Sequence, residues 1–218
     1  MIPLKDIKYV LLDMDGTLLD QYFDDYFWEH LVPENYAEKH NISFGRAKEE
    51  LLSKYRSHEG TLNWTDIDFW STELNLDIPV LKEQIRHLID VHPHVDDFLS
   101  ALKKHHKKVY MVTNAHYKVL DMKLKKTGIG KYFDRCITSG EIGYPKERIE
   151  FWNRLEKTIH FDKESTLFID DLAHILKIAG EFGIKYLLHK TRASSQKEDT
   201  FPSGFPVIRD FGELLGSF

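Results

Sequence analysis

The chain has 218 residues, 42% of them hydrophobic and 30% charged, and its formal net charge is -5. This length allows one full hydrophobic core with an added subdomain. The acidic balance offers no basic surface for phosphate backbones, so we do not expect nucleic-acid binding. The single cysteine, Cys136, excludes an intrachain disulfide and is typical of a reducing cytoplasm. With no signal peptide and no apolar stretch of membrane-spanning length, we expect a cytoplasmic protein without a membrane segment.

The amino-terminal segment combines a strand with two carboxylates. Residues 7–12 are mostly apolar, which predicts a short strand buried on both faces of a parallel sheet. Asp13 and Asp15 follow in the run DMDGT, at the strand end where open α/β sheets bind ligands. Two carboxylates this close repel each other unless a cation or a shared proton lies between them. Mg2+ meets that need, and phosphate oxygens could complete its ligands.

A long helical insertion follows the first strand. Apolar residues recur there at helical spacing. These faces are Phe44, Ala47, Leu51 and Tyr55, then Ile67, Trp70 and Leu74, and finally Leu81, Ile85 and Leu88 in a helix starting near Pro79. We therefore predict an all-helical cap over residues 19–90, inserted into a core domain formed by residues 1–18 and 91–218.

Helices and strands alternate along the rest of the chain. Strands are predicted at residues 109–112, 136–138, 166–169 and 184–188. The helical faces are Val95, Phe98, Leu99 and Leu102, then Tyr117, Leu120 and Leu124, then Ile149, Trp152, Leu155 and Ile159, and finally Leu172, Ile175, Leu176 and Ala179. This alternation predicts an α/β fold with a parallel sheet and right-handed crossovers. Residues 189–218, which include Ser194–Gln196 and Pro202–Pro206, are predicted to form a loosely ordered surface segment.

Further polar residues occur near the ends of the later segments. They are Thr113 and Asn114, then Lys146 after a proline at the start of a helix, and then Asp170 and Asp171. Each group has an ordinary structural explanation, as a turn, a surface charge or a helix N-cap. Their order along the strands favours a single site instead. Carboxylates, one ammonium group and small hydrogen-bond donors are what phosphoryl transfer requires.

Taken with the DMDGT run, these residues resemble the motifs of the haloacid dehalogenase (HAD) superfamily of phosphatases, in which a helical cap follows the first motif. The runs LLDMDGTLLD, FWEHLVPENY, TLNW, VTNAH, GYPKE and LFIDD more narrowly resemble bacterial purine 5'-nucleotidases that hydrolyse GMP and IMP. The resemblance covers most of the chain and weakens after about Leu188. It implies a Rossmann-like, three-layer core and Mg2+-dependent hydrolysis of phosphate monoesters through an aspartyl-phosphate.

The resemblance also implies a role for each matching residue. Asp13 is the nucleophile that attacks phosphorus. Asp15 protonates the leaving ester oxygen and later deprotonates the hydrolytic water. The Thr113 hydroxyl and the Asn114 backbone N–H bind the phosphoryl oxygens, and Lys146 pairs with the nucleophile and the phosphate.

The same resemblance implies a Mg2+ site. Asp13, the backbone carbonyl of Asp15 and the carboxylate of Asp171 reach the ion. Asp170 orients metal-bound water or supports the ligands from outside. Many relatives carry another acidic residue where Ile175 stands, and we expect the Asp170–Asp171 pair to compensate for its absence.

Substrate selection is expected to come from the cap, since the motifs contact only the phosphate. The cap is rich in aromatic residues, namely Tyr22, Phe23, Tyr26, Phe27, Trp28, Tyr55, Trp64 and Trp70. A purine could stack on one or two of these rings, but packing within the cap is favoured for any single ring. Arg46 and Arg56 could contact a base or a ribose, or lie on the surface. His116 could reach the substrate.

Several functions share these motifs. A purine 5'-mononucleotidase is favoured, and a phosphatase or phosphomutase for sugar phosphates or other small phosphometabolites is the main alternative. A non-catalytic nucleotide-binding regulator is a remote alternative, because Asp13, Asp15 and Lys146 are all present. Dehalogenation is disfavoured, since that reaction has no ester oxygen for Asp15 to protonate.

Overall fold

The computed structural model describes residues 2–199 and 204–218. Within these ranges, six strands form one parallel sheet in the order β3-β2-β1-β4-β5-β6. The strands are β1 (Tyr9–Leu12), β2 (Lys108–Thr113), β3 (Arg135–Thr138), β4 (Thr166–Asp170), β5 (Tyr186–Lys190) and β6 (Val207–Ile208). The predicted α/β fold with a parallel sheet is confirmed.

Helices occupy the chain between β1 and β2. They are α1 (Tyr22–Tyr26), a π-helix (Phe27–Leu31), α2 (Val32–His40), α3 (Phe44–His58), α4 (Ile67–Leu74) and α5 (Ile78–Gln84), with 3-10 turns at Leu62–Trp64 and Arg86–Leu88. The helix expected near Pro79 begins one residue earlier, where the Asp77 side chain accepts a hydrogen bond from the Val80 N–H. It ends at Gln84, so Ile85 and Leu88 lie beyond it.

The two ends of this helical insert run side by side. Leu19 forms an antiparallel bridge with Val91. The Asp20 N–H donates to the Asp90 carbonyl at 3.0 Å. The insert is therefore joined to the sheet domain by two adjacent connections.

The remaining helices cover both faces of the sheet. They are α6 (Val95–Lys104), α7 (Tyr117–Thr127), α8 (Ser139–Ile142), α9 (Ile149–Ile159) and α10 (Ala173–Phe182). Side chains of β1 alternate between the faces, as a strand requires. Val10 and Leu12 share a core cluster with α6 and α7, whereas Leu11 packs with α9 and α10. The result is the three-layer, Rossmann-like arrangement that the family resemblance implied.

Four predicted helical faces differ from the structure at their first residue, which is exposed. These residues are Phe44, Tyr117, Ile149 and Leu172. The first three begin α3, α7 and α9, and Leu172 immediately precedes α10. In α7 the predicted Leu120 is buried, and so is Val119, which was not predicted. In the part of the chain that the structure describes, no helix has both the length and the apolarity to cross a membrane.

The carboxyl-terminal region is more ordered than predicted. β6 pairs with β5, and a 3-10 helix at Phe211–Ser217 packs on α6, with the Phe98 and Phe211 ring centroids 4.9 Å apart. Phe211 and Leu214 are buried. The prediction of a loose surface segment is wrong for residues 204–218, because these apolar side chains complete the core. Pro202 lies outside the described residues.

Candidate active site

The carboxyl ends of adjacent strands bring the predicted residues together. Asp13 follows β1, Thr113 ends β2 and Asp170 ends β4, and β1 lies between the other two strands. Lys146 reaches the same place by a different route. It lies in a turn after α8, three residues before α9 begins at Ile149, and not at the start of that helix.

Buried carboxylates form the centre of the site. Oxygen atoms of Asp13, Asp170 and Asp171 all lie within 4.8 Å of one another. The buried Lys146 Nζ donates to Asp13 Oδ1 at 2.5 Å and to Asp170 Oδ2 at 2.7 Å. Lys146 therefore pairs with two of the three carboxylates in this cluster, and the third, Asp171, lies beside them.

The burial and the excess of negative charge both affect the pKa values of these carboxyl groups. Burial raises the pKa of Asp13 to about 6, although Lys146 opposes the rise. Burial also raises the pKa of Asp171 well above its usual range, and the neighbouring carboxylates of Asp170 and Asp13 raise it further. A group of oxygen ligands that cannot all ionise without a counter-charge fits a hard divalent cation.

Asp170 and Asp171 differ in how fully their carboxylate oxygens are engaged in hydrogen bonds. Asp170 Oδ2 accepts from Lys146, and Asp170 Oδ1 accepts from the Leu172 N–H at 2.8 Å. Among residues 2–199 and 204–218, the Asp171 carboxylate accepts one long hydrogen bond, 3.3 Å from the Thr17 hydroxyl. Asp171 therefore has more capacity to bind a cation, while Asp170 holds Lys146 and its own turn.

Asn114 joins two loops of the site. Its Oδ1 accepts from the Lys146 N–H at 2.9 Å, and its Nδ2 donates to both carboxylate oxygens of Glu147. The Thr113 hydroxyl accepts from the Ala115 N–H at 3.0 Å, which fixes the first turn after β2. Glu147 was not among the predicted residues, and here it holds Asn114 in place.

Asp15 pairs with a different lysine from the one in the carboxylate cluster. Its Oδ1 accepts a hydrogen bond from the Lys123 Nζ at 2.5 Å. Burial raises the pKa of Asp15 to about 6, with Lys123 lowering it and Asp24 raising it. The two aspartates of the DMDGT run therefore occupy different environments.

Lys123, Asp24 and Lys82 are residues that the sequence reasoning missed. The Lys123 ammonium group also contacts Asp24, whose other oxygen accepts from the Lys82 Nζ at 2.8 Å. A signal was present, since each lysine lies four residues after a buried apolar residue of its helix. Those residues are Val119 in α7 and Ile78 in α5.

A cavity of about 660 Å³ extends from the carboxylates towards the helical insert. Its far part is aromatic and includes Trp28, Tyr55, Trp64 and Trp70. The Tyr55 ring packs edge-on against the other three, with centroid separations of 5.1 to 6.4 Å. The Tyr55 hydroxyl is buried without a hydrogen-bond partner in the described structure.

The other insert residues divide between core and surface. Phe23 and Phe27 are buried in the core, as the packing alternative predicted for single rings. Arg46 pairs with Glu50 on the surface, and neither Arg46 nor Arg56 is among the residues lining the cavity. His116 does line the cavity.

Comparison of the sequence with protein families gives one match over most of the chain. The model of the haloacid dehalogenase-like hydrolases matches residues 7–183. GMP/IMP nucleotidase YrfG of Escherichia coli (strain K12) is 37% identical over 216 residues, which cover 99% of this chain and 97% of that protein. Pyrophosphatase PpaX of Oceanobacillus iheyensis is 27% identical over 77% of this chain and 76% of its own length.

Solved structures show the same fold. A HAD phosphatase from Thermococcus onnurineus superposes with a TM-score of 0.79 at 24% identity, covering 95% of this chain and 96% of that one. A β-phosphoglucomutase-like protein from Thermotoga maritima superposes with a TM-score of 0.69 at 16% identity, covering 96% and 97% of the two chains. At these identities the superpositions bear on the fold alone.

Proposed function

Because this chain belongs to the haloacid dehalogenase-like hydrolase family, we propose that it hydrolyses phosphate monoesters through an aspartyl-phosphate on Asp13. The observation that carries the proposal is the pairing of a buried Asp13 with Lys146 at 2.5 Å, beside Asp171, in an open cavity. A carboxylate in contact with a fixed cation is held as a nucleophile, and the same cation offsets the charge of an incoming phosphate.

The first step forms the bond between an Asp13 oxygen and phosphorus while the ester P–O bond breaks. Asp15 transfers its proton to the leaving oxygen, so the alcohol departs neutral. The Thr113 hydroxyl and the Asn114 backbone N–H bind the phosphoryl oxygens in this proposal, and Lys146 stabilises their charge. In the second step water attacks phosphorus and Asp15 accepts its proton, while the bond between the Asp13 oxygen and phosphorus breaks, which restores the Asp13 carboxylate and releases inorganic phosphate.

The carboxylates also provide for a metal ion. Asp13, Asp171 and the Asp15 backbone carbonyl would hold a divalent cation, Mg2+ in our proposal, with Asp170 orienting these groups. When bound, the cation would neutralise phosphoryl charge that one lysine cannot balance.

We propose further that the substrate is a purine 5'-mononucleotide such as GMP or IMP. The support is the name of the relative that is 37% identical over nearly the whole chain, together with the aromatic end of the cavity. A planar base can stack there while its phosphate lies at the carboxylates. A cytoplasmic location belongs to the same proposal.

A phosphate-release assay tests both parts. Purified protein is supplied with Mg2+ and a panel of purine and pyrimidine nucleotides and sugar phosphates, with Asp13→Asn as the blank. We expect GMP or IMP to give the highest kcat/KM by at least about tenfold, and chelation of the metal to abolish turnover.

The possible outcomes separate the two parts of the proposal. A preference for sugar phosphates, or equal rates across the panel, would contradict the purine assignment and leave the phosphatase assignment standing. Turnover that persists in Asp13→Asn would contradict the aspartyl-phosphate route itself.

A further inference from the structure

We infer that Lys123 is a positioning residue for the carboxyl group of Asp15, and that the helical insert holds Lys123 in place through Asp24 and Lys82. The inference rests on the proposed function, because Asp15 is the proton donor and acceptor there. It assigns a role to residues outside the motifs that identified the site.

Asp15, Lys123, Asp24 and Lys82 form a chain of alternating charge, in which the lysines are buried and the aspartates are partly buried. Lys123 belongs to α7 of the sheet domain and is 1% exposed. Its Nζ lies 2.5 Å from Asp15 Oδ1 and also contacts Asp24 Oδ2. Asp24 Oδ1 in turn accepts from the Nζ of the buried Lys82 at 2.8 Å.

Aromatic faces surround the two ammonium groups. The Lys82 Nζ lies 4.1 Å from the centroid of the Phe27 ring and 4.8 Å from that of Phe23. The Lys123 Nζ lies 5.0 Å from the Phe23 centroid. Such contacts stabilise desolvated cations. Separating a buried ammonium group from its carboxylate partners leaves its charge uncompensated, which disfavours arrangements in which these partners move apart.

The hydrogen bond to Asp15 has a chemical consequence. A lysine ammonium group can only donate, so the oxygen that it contacts must act as an acceptor. When Asp15 is protonated, its carbonyl oxygen is the better acceptor, so the hydrogen bond from Lys123 to Oδ1 favours the proton on Oδ2. Since Asp15 lines the cavity, this arrangement presents the proton to the leaving oxygen of a bound ester. After transfer, Lys123 stabilises the carboxylate that accepts a proton from water.

The network also connects the two parts of the molecule. Asp24 lies in α1 and Lys82 in α5, both within the helical insert, whereas Lys123 and Asp15 belong to the sheet domain. The orientation of Asp15 therefore depends on the insert being packed against the sheet domain. Proton transfer by Asp15 therefore depends on the helical insert being in place over the substrate.

Leaving-group dependence tests this role. Lys123→Met removes the ammonium group while keeping an unbranched chain of similar length. Lys125→Met is the matched control, since Lys125 is an exposed residue of the same helix and, within the described residues, pairs with Asp121. The first turnover is followed for p-nitrophenyl phosphate, whose leaving group needs no proton. It is followed in parallel for GMP or, if purine nucleotides are not substrates, for the fastest alkyl phosphate of the panel.

We expect Lys123→Met to slow the first turnover of the alkyl ester by about 100-fold or more, within the range of general acid catalysis. The first turnover of p-nitrophenyl phosphate should fall by less than about tenfold, and Lys125→Met should match the wild-type protein in both assays. Equal losses for the two esters, or no loss for either, would overturn the inference. A purely structural role for Lys123 predicts equal losses, because misfolding affects both substrates alike.

Two controls keep the result decisive. If Lys123→Met does not fold, the charge-balanced double variant Lys123→Met/Asp24→Asn is used, and the same selectivity for leaving group is required of it. Failure of wild-type protein to hydrolyse either ester would instead refute the proposed function, and the inference with it. That outcome is distinguishable, because it appears before any variant is made.

Discussion

At the residue scale, Gly16 determines how closely the first loop approaches the carboxylates. Its backbone has a φ of 81°, in the left-handed region where side chains are disfavoured. A Cβ atom at this position would lie 2.5 Å from Asp171 Oδ2 and 2.7 Å from its Cγ. The loop after β1 can therefore touch Asp171 only because residue 16 has no side chain.

Gly16→Ala should displace Asp171 from its place beside Asp13. We expect kcat/KM to fall by at least about 100-fold, the usual cost of a displacement near 1 Å in an active site. The concentration of Mg2+ needed for half-maximal activity should rise as well. Gly45→Ala is the control, since a Cβ there meets nothing within 4 Å. Normal activity in Gly16→Ala would show that Asp171 does not need its observed position.

Trp64 tests the aromatic end of the cavity. It lines the cavity and is 39% exposed, so its truncation removes a ring that a base could stack on without opening the core. We expect Trp64→Ala to raise KM for a purine nucleotide by about tenfold, from a stacking energy of about 1–3 kcal/mol, with little change for a sugar phosphate.

The control for Trp64→Ala is Phe44→Ala. Phe44 has the same 39% exposure in the same insert but is not among the residues that line the cavity. Equal effects of the two substitutions, or an unchanged KM in Trp64→Ala, would place the base elsewhere.

At the element scale, the carboxyl-terminal 3-10 helix is part of the core. Phe211 is fully buried against Phe98 of α6, and the Asp210 and Glu213 side chains form a reciprocal cap at its start. This segment also follows β6, which covers the edge of β5.

We therefore expect Phe211→Ala to lower the free energy of unfolding by about 3–5 kcal/mol, as large-to-small substitutions in cores do. Urea denaturation measures the change, and Leu215→Ala, which removes an exposed side chain of the same helix, should cost far less. A loss below about 1 kcal/mol for Phe211→Ala would mean that the segment detaches without disturbing the core.

At the scale of the whole molecule, His92 holds the second connection of the insert against the first connection and the chain near Ala193. The His92 backbone N–H donates to the Leu18 carbonyl of the first connection, and the His92 ring Nε2 lies 3.1 Å from the Ala193 carbonyl. Burial, together with the nearby charge of Lys190, lowers the pKa of His92 to about 4. The folded protein therefore holds this ring neutral.

This pKa predicts how stability depends on pH. An unfolded histidine gains a proton below about pH 6.5, whereas the folded one does so only near pH 4. The stabilisation is thus complete above pH 6.5 and is lost as the pH falls towards 4. Between pH 7 and 4.5 we expect wild-type protein to lose about 2 kcal/mol more than His92→Gln, which keeps a hydrogen-bond donor.

Urea denaturation at the two pH values measures this difference. His94→Gln is the control, because the His94 side chain is exposed, whereas that of His92 is buried. A parallel loss in wild-type protein and His92→Gln would show that the ring is already protonated in the fold.

How much could be predicted depends on distance along the chain. The DMDGT run was recognisable because strand, turn and carboxylates are contiguous, and β1 to β5 were placed to within a few residues because buried parallel strands are continuous apolar runs. The last segment was misjudged because its strand, β6, has only two residues and the partner of Phe211, α6, lies far away in sequence. Lys123 and Asp15, 108 positions apart, could be paired only after folding.

The sequence by itself determined the fold class and predicted the residues around the carboxylate cluster, because local patterns of apolar and acidic residues indicate both. The tertiary structure decided which partners each of those residues contacts. It left Asp171 with free capacity for a cation, turned Asp15 towards Lys123, and joined that lysine to the insert through Asp24 and Lys82. These pairings depend on charges that become neighbours only when the insert packs against the sheet domain, so no local sequence pattern shows which charges pair.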